Sequence, residues 1–518
     1  MPARDTDRAW GLAACEVLPA VWLERIARGY RADRSGEVQI VPLYPNQIDP
    51  GLPHNGPWDE VQDVPLFLYG PGVIPAVGRV ERPVTVADVA PTVGALADSG
   101  FEAPDGHVLH EAADGRRSPR LVVVLVWDAV GRGVLDRHAD AWPTLASLID
   151  DGAWYERASV GSSPSQTAQV HATIGTGAFP RTHGLIAHRF RVDGELVTPW
   201  GEGTALLEVP TVGDILDIEH DNAAQVGFVG TLMIHLGLLG HGSDFPGGDA
   251  DLAVLREQEG AQTLGAEGEE WNLPAPVAGA FAFPSWVARV EPGLAHDVDA
   301  LDRADGSLDG TWRGNDIATL LDGFDTPARA PYQQRVIEAV IEREGYGADE
   351  VTTDVLWVNE KFTDYVSHVW SVDSPEMADA VRSQDDALAR LLAFLDEKVG
   401  RGRWAIALTA DHGSVRPPPS TGGAVLSSVA LQATLERRFG EGVVELVQDT
   451  QLFLDTDRLE RDGDTAADVA RTVLALTAGE LAPPDADLDA DLRNAPAFEA
   501  AFPSGALEAM PCISEAAA

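Results

Sequence analysis

The sequence predicts an α/β fold: a central, mostly parallel sheet with helices on both faces and an inserted cap. Two observations carry that expectation. Apolar runs of strand length alternate with longer stretches of helical periodicity, the pattern of a parallel sheet covered on both faces. Two of those runs lead into a lone carboxylate, Asp128 after LVVVLVW and Asp411 after WAIALTA. Open parallel sheets gather their ligands there, at the carboxyl ends of strands.

Leu121–Trp127 shows no polar alternation, as a strand buried on both sides does. A helix is expected to start over Thr144–Asp151. Ala223–Gly230, Val351–Val358 and Trp404–Thr409 are further strand candidates, with Gln333–Arg343 and Pro375–Lys398 the main helices between them. Pro- and Gly-rich breaks fall at 114–120, 243–250 and 415–423. Residues 246–330 are rich in Gly, Pro, Asp and Trp and poor in strand pattern, and are read as the cap. Trp271, Trp286 and Trp312 there are candidates to stack on a substrate's base, although packing is the commoner job for tryptophan. Residues 484–518 read as a partly irregular tail.

Composition narrows the partners. The 518 residues include 37 basic and 82 acidic side chains, for a net charge of −45, and Lys361 and Lys398 are the two lysines. Such a surface repels nucleic-acid backbones and anionic membranes, so neither is an expected partner. A phosphate site on this chain must be locally positive, and bound cations supply that. No run approaches the ~20 apolar residues that span a bilayer. The first residues lack the basic and apolar regions of a signal peptide, so a cytoplasmic location is expected. Cys15 and Cys512 are too few for a disulfide framework and are expected to be free thiols.

The chemistry lies in three short segments. In TDYVSH, Asp364 and His368 stand four apart, so a helix over Phe362–Trp370 points both one way to share a cation, or leaves them as a solvated pair. In TADHGS, Asp411 and His412 converge if the chain turns after the strand, with Gly413 letting the backbone bend; the alternative is an ordinary polar turn. Asp128 follows seven apolar residues, where an unpaired carboxylate is costly, so it must be paired or ligating. These side chains offer most of what two divalent cations need, and a metal-dependent hydrolase of phosphate esters is the leading reading. The segment GSSPSQTAQVHATIG supplies a hydroxyl, Thr167, where a loop enters a helix. A helix N-terminus favours phosphoryl oxygens. The alternative is a plain helix cap. His171 and His183 are read as hydrogen-bonding loops.

The succession WDAVG, SSPSQTAQVHATIGTGAFPRTHG, TDYVSH, TADHGS resembles the alkaline phosphatase superfamily, and within it the type I phosphodiesterase/nucleotide pyrophosphatase group. The resemblance implies an alkaline-phosphatase-like fold, a two-zinc site and a threonine nucleophile. One zinc would be held by Asp128, Thr167, Asp411 and His412, the other by Asp364, His368 and one further histidine. In the family that histidine follows the DHG motif, but here no histidine follows His412. His54, in LPHNGPWDEVQDVPLFLYGPGV, matches the family's C-terminal pattern, so the chain reads as circularly permuted. Residues 1–115 would complete a catalytic core formed by 116–245 and 331–518, with 246–330 as the cap, and residues near Cys15 would lie close to the C-terminal region. His235 and His241, in GTLMIHLGLLGHG, are the competing ligands. Many phosphodiesterases of the group carry an Asn three residues after the nucleophile; Val170 stands there, and Gln169 is its candidate replacement in binding phosphate. Lys361, just before Asp364, is a second candidate for substrate phosphate, or else a surface lysine.

The expected function is hydrolysis of phosphodiester or pyrophosphate bonds of small substrates through a phospho-threonine intermediate. A phosphomonoesterase or phosphonate hydrolase is the same-class alternative, and a metal-free binding protein with this fold the other.

Overall fold

The computed structural model describes residues 6–49, 54–113, 117–200, 206–257, 267–321 and 326–513. Its strands are β1 Val38–Pro42, β2 Leu66–Tyr69, β3 Gly78–Thr85, β4 Leu121–Trp127, β5 Ala153–Ser159, β6 Val226–Val229, β7 Leu252–Glu257, β8 Glu267–Asn272, β9 Asp354–Glu360, β10 Trp404–Thr409, β11 Val444–Val447, β12 Gln451–Leu454 and β13 Phe498–Pro503. Among the described residues, nine strands form the central sheet in the order β8-β7-β6-β9-β4-β10-β2-β5-β3. The run β7-β6-β9-β4-β10 is parallel throughout, while β8 and β2 are antiparallel to their neighbours.

The unbroken apolar run of β4 has a simple cause. Val122, Val124 and Val126 enter one hydrophobic cluster, and Leu121, Val123, Leu125 and Trp127 enter another on the opposite face. Side chains alternate along a strand, so a strand covered on both faces needs apolar residues at every position. The first face is covered by helices α1 Val89–Leu96, α2 Thr167–Thr176 and α3 Val212–Glu219, the second by α4 Arg329–Glu344, α5 Phe362–Trp370 and α6 Pro375–Leu395. Truncating one of these fully buried aliphatics to alanine is expected to cost roughly 2–5 kcal/mol.

The structure differs from the sequence reading in four places. The strand expected at Val351–Val358 is displaced to Asp354–Glu360. Val351 is 89% exposed, whereas the polar Asn359 and Glu360 are buried at the strand's end. Residues 246–330 are not uniformly poor in strands: Leu252–Glu257 and Glu267–Asn272 extend the central sheet, and the part outside it begins beyond them. The chain's first residues do not all join that sheet. β1 pairs with β12 and β13 in a small antiparallel sheet, and the helices Asp7–Val17 and Ala20–Gly29 share its core with residues 424–510. Finally, Cys15 is bonded to Cys512, their Cα atoms 5.9 Å apart, so the expected free thiols are a disulfide. It joins the N-terminal helix to the C-terminal stretch, the proximity expected around Cys15. No helix among the described residues is long and apolar enough to cross a membrane.

Candidate active site

Each chemical segment of the sequence sits at a strand end or a helix start. Asp128 follows β4 and is wholly buried. Asp411 and His412 follow β10 across the parallel β4/β10 pair. Gly131 and Gly413 let the two turns touch: a Cβ on Gly131 would lie 2.4 Å from Gly413 Cα, and one on Gly413 would lie 2.3 Å from Glu60 O. Gly413 is therefore required for close approach rather than for a left-handed bend. The backbone N–H of Ala129 donates to Asp411 Oδ1 at 3.1 Å and ties the turns together.

Thr167 is the first residue of α2, whose cap is Gln166. The plain-cap alternative therefore does not describe Thr167. Its residue is 2% exposed, so the hydroxyl is no loose loop group. Helix α5 spans Phe362–Trp370, as its pattern predicts, and brings His368 Nε2 to 3.2 Å from Asp364 Oδ2. His54 arrives from the other end of the chain. Its Nε2 lies 3.9 Å from Asp364 Oδ1, its ring stacks on His412 with centroids 3.9 Å apart, and His368 stands 5.3 Å away. Ser165 fastens it to the loop before Thr167: Ser165 Oγ donates to His54 O at 2.6 Å, and His54 Nδ1 lies 3.4 Å from Ser165 O.

Lys361 stands in the middle. Its ammonium donates to Asp364 Oδ2 at 2.7 Å, Asp128 Oδ1 at 3.1 Å and Thr167 Oγ1 at 3.2 Å. The residue is 5% exposed, so it is not a surface lysine. Burial disfavours its charge, but Asp128, Asp364 and Asp411 outweigh that and hold it above its ordinary pKa. Burial would raise Asp364, yet His368 and Lys361 hold it well below the usual carboxylate range. Burial and then Asp411 push Asp128 well above that range. Burial keeps His54 and His412 neutral, the form in which imidazole ligates a metal.

Hydrogen bonds fix the tautomers. His412 Nδ1 donates to Gly413 O at 3.1 Å, which leaves its buried Nε2 with a lone pair and no partner. Asp411 Oδ2 and Asp364 Oδ1 are likewise buried and accept no hydrogen bond. Two groups of side chains, His54, Asp364, His412 and Asp128, Asp411, His412, each offer ligand atoms within 4.8 Å of one another. The donor set therefore fits metal ions. His235 fits less well: its Nδ1 accepts from Leu232 N at 3.1 Å, so the Nε2 that faces Asp128 Oδ2 at 3.8 Å bears the proton. His241 spends both ring nitrogens on Asp214 and Leu207 O.

Several expectations move. Gln169 does not line the site; its amide donates to Pro164 O at 3.1 Å and braces the loop before Thr167. His171, on α2, joins Thr167 O at 2.8 Å to Asn359 Nδ2 at 3.0 Å, partners on a helix and a strand rather than loops. His183 holds Thr173 Oγ1 and Gln169 O. Trp271, Trp286 and Trp312 donate to Tyr332, Glu344 and Asp379, away from the site. A cavity of about 250 Å³ opens over Thr167, Lys361, Asp364, His368 and His54, and is completed by Asn55, Gln166, His188, Leu232, Ile234 and Tyr365. The sequence reading missed that second set. It also missed Asn359, whose amide donates to Asp128 Oδ2 at 2.9 Å. The available signal was a polar Asn–Glu pair ending an apolar strand.

Residues 122–503 match the type I phosphodiesterase / nucleotide pyrophosphatase family. A protein of Myroides odoratus described as a calcium-transporting ATPase is 25% identical over 346 residues, 59% of this chain and 62% of that one, so the chain spans less than two thirds of its length. The alkaline phosphatase PhoV of Synechococcus elongatus is 23% identical over 421 residues, 73% of this chain and 74% of that one. The crystal structure of wild-type alkaline phosphatase PafA superposes with a TM-score of 0.54 at 20% identity, covering 69% of this chain and 76% of that one, and shows a shared fold.

Proposed function

Because the chain belongs to the type I phosphodiesterase/nucleotide pyrophosphatase family of the alkaline phosphatase superfamily, we propose that it hydrolyses phosphodiester or pyrophosphate bonds of small substrates, with Thr167 as nucleophile. The observation that carries the reading is what converges on Thr167 Oγ1: a buried ammonium 3.2 Å away, and beside it carboxylate and imidazole atoms with no protein partner. Two divalent ions, zinc by the mixed imidazole and carboxylate donors, would be held by Asp128, Thr167, Asp411 and His412, and by Asp364, His368 and His54. When bound they would acidify the hydroxyl and polarise the phosphoryl group.

The chain's own residues supply the rest. The helix start presents Thr167 Oγ1 to phosphorus. As the Oγ–P bond forms and the bond to the leaving oxygen breaks, the hydroxyl proton passes through solvent to that oxygen. Lys361, charged and within reach of Oγ1, stabilises the alkoxide character of the attacking atom. Water then cleaves the phospho-threonine, restoring the hydroxyl.

His54 as a ligand carries the reading of the chain as circularly permuted. Three facts support it: β2 and β3 lie in the central sheet although they precede β4, His54 falls outside residues 122–503, and no histidine follows His412. For location, the disulfide favours an oxidising compartment over the cytoplasm, since cytosolic thiols are kept reduced.

The paired assay of bis-p-nitrophenyl phosphate against p-nitrophenyl phosphate tests the substrate class. A monoester brings one more charge, whereas Lys361 is already shared by Asp128 and Asp364 and Val170 offers no donor. The diester is expected to be favoured by a modest margin. A strong preference for the monoester overturns the diesterase reading in favour of a phosphomonoesterase.

A further inference from the structure

A second acidic cluster lies far from Thr167. Asp217 comes from helix α3, and Asp249 and Asp251 from the loop that enters the N-terminal end of strand β7. The parallel strands put Asp128 at their opposite, carboxyl ends. Each of the three aspartates offers an oxygen, all within 4.8 Å of one another. Asp217 is 1% exposed and Asp251 4% exposed. Both oxygens of Asp217 and Oδ2 of Asp251 are buried and accept no hydrogen bond. Asp249 opens to solvent.

Among the described residues, no cationic side chain answers them: the charges acting on Asp217 are Asp249 and Asp214, and those acting on Asp251 are Asp217, Asp214 and Asp249. The neighbouring His241 is bonded to Asp214 Oδ2 at 2.8 Å and to Leu207 O at 3.0 Å. Unpaired buried carboxylates are costly, and such a group takes up either a proton or a cation. A proton shared by two of these carboxylates satisfies one oxygen pair and leaves the other Asp217 oxygen dry and unbonded. A cation answers all of them together. Calcium takes oxygens at 2.3–2.6 Å, so two oxygens on one ion lie within about 5 Å of each other, as these do. The set holds no nitrogen or sulfur, which disfavours zinc. The solvent-open side at Asp249 gives an entry path and room for water ligands.

We propose that Asp217, Asp249 and Asp251 bind a hard divalent cation of the calcium class, which pins the start of strand β7 to helix α3. The test uses the full chain with zinc saturating the catalytic ligands, followed by thermal unfolding as calcium chloride is titrated in. The wild type should show a saturable rise in Tm of several degrees. Asp251→Asn should abolish it. Asp249→Asn, at the solvent-open ligand, should need at least tenfold more calcium while hydrolysing substrate at the parent rate. No rise in the wild type up to about 10 mM, beyond the weakest dissociation constants of such sites, overturns the proposal, as does an unchanged calcium response in Asp251→Asn. Should Asp251→Asn fail to fold, the Asp249→Asn titration decides alone: an unchanged midpoint overturns the site.

Discussion

Two clusters of three aspartates sit towards opposite ends of the strands of one parallel sheet, on different strands and helices, and they differ in what neutralises them. Asp128, Asp364 and Asp411 surround a lysine whose ammonium reaches two of the carboxylates and the hydroxyl of Thr167, and the imidazoles of His54 and His412, which burial keeps neutral, lie beside them. Asp217, Asp249 and Asp251 face one another and Asp214, with no cationic side chain acting on Asp217 or Asp251 among the described residues. The first cluster lies where a substrate would bring negative charge, so a fixed cation there serves binding as well as folding. The second lies at the seam between helix α3 and the start of strand β7, open to solvent at Asp249. One acidic composition thus yields a site organised by its own counter-charge and a site that waits for one.

The largest expected effect breaks the first half of that comparison. Chelation should abolish hydrolysis, zinc should restore it, and metal analysis should find about two ions at the catalytic ligands per chain. Full activity in a metal-free preparation would reduce the cluster to an ordinary ion-pair network. With zinc present, Thr167→Ala should lower kcat by at least about a thousandfold with little change in Tm, because Lys361 keeps its bonds to Asp128 and Asp364. Thr167→Ser should keep part of the rate. Parent activity in the alanine variant would leave Thr167 as no more than the first residue of its helix.

Lys361→Met comes next, and it asks whether the lysine is more than a counter-ion. Breaking a buried pair costs about 3–5 kcal/mol, because the abandoned carboxylates stay buried. The metal-free variant should therefore melt well below the wild type, and zinc should recover most of the difference by supplying the missing positive charge. If Lys361 also stabilises the attacking oxygen, kcat of the zinc-loaded variant falls by about 10–1,000-fold. Recovery of stability together with full kcat would confine Lys361 to holding the cluster together.

The legible parts of this molecule were those with a local signature. β4 was readable because burial on both faces demands an unbroken apolar run, and α5 because Asp364 and His368 stand one helical turn apart. What stayed hidden depends on long-range packing. Nothing in the neighbourhood of Lys361 marks it as buried; only the arrival of β4, α2 and α5 together encloses it. β7 escaped notice because six residues leading into a Gly-rich stretch carry no clear period, and the strand exists because β6 offers it an edge. Gln169 and Val170 show the same limit from the other side: spacing from Thr167 placed them near phosphate, but on α2 the first turns back to Pro164 and the second into the core. The Cys15–Cys512 bond spans 497 positions; the permuted reading brought Cys15 near the C-terminal region, but two lone cysteines carry no spacing pattern that marks them as bonded.

The smallest effect sharpens the second half of the comparison. Burial, then Asp249 and Asp214, push the Asp217 carboxyl up from 3.8 to about 7. The folded chain then binds this proton more tightly than the unfolded chain does. A raised carboxyl pKa contributes stability that is fully present below the unfolded value of 3.8 and lost as pH rises through about 7. In zinc-loaded, calcium-free protein, wild type and Asp217→Asn should therefore be matched by Tm at several pH values. The wild type should lose ground to the variant between about pH 5 and pH 8, by about 1–3 °C for a chain of this size. The sign follows from the asparagine, which carries neither the proton at low pH nor the unpaired charge at high pH. Calcium at about pH 8 should reverse the wild type's loss and leave Asp217→Asn unmoved, since the ion replaces the proton only where the carboxylate remains. A Tm difference that stays flat across that range would mean the cluster is already neutralised, and the contrast between the two acidic sites would fall.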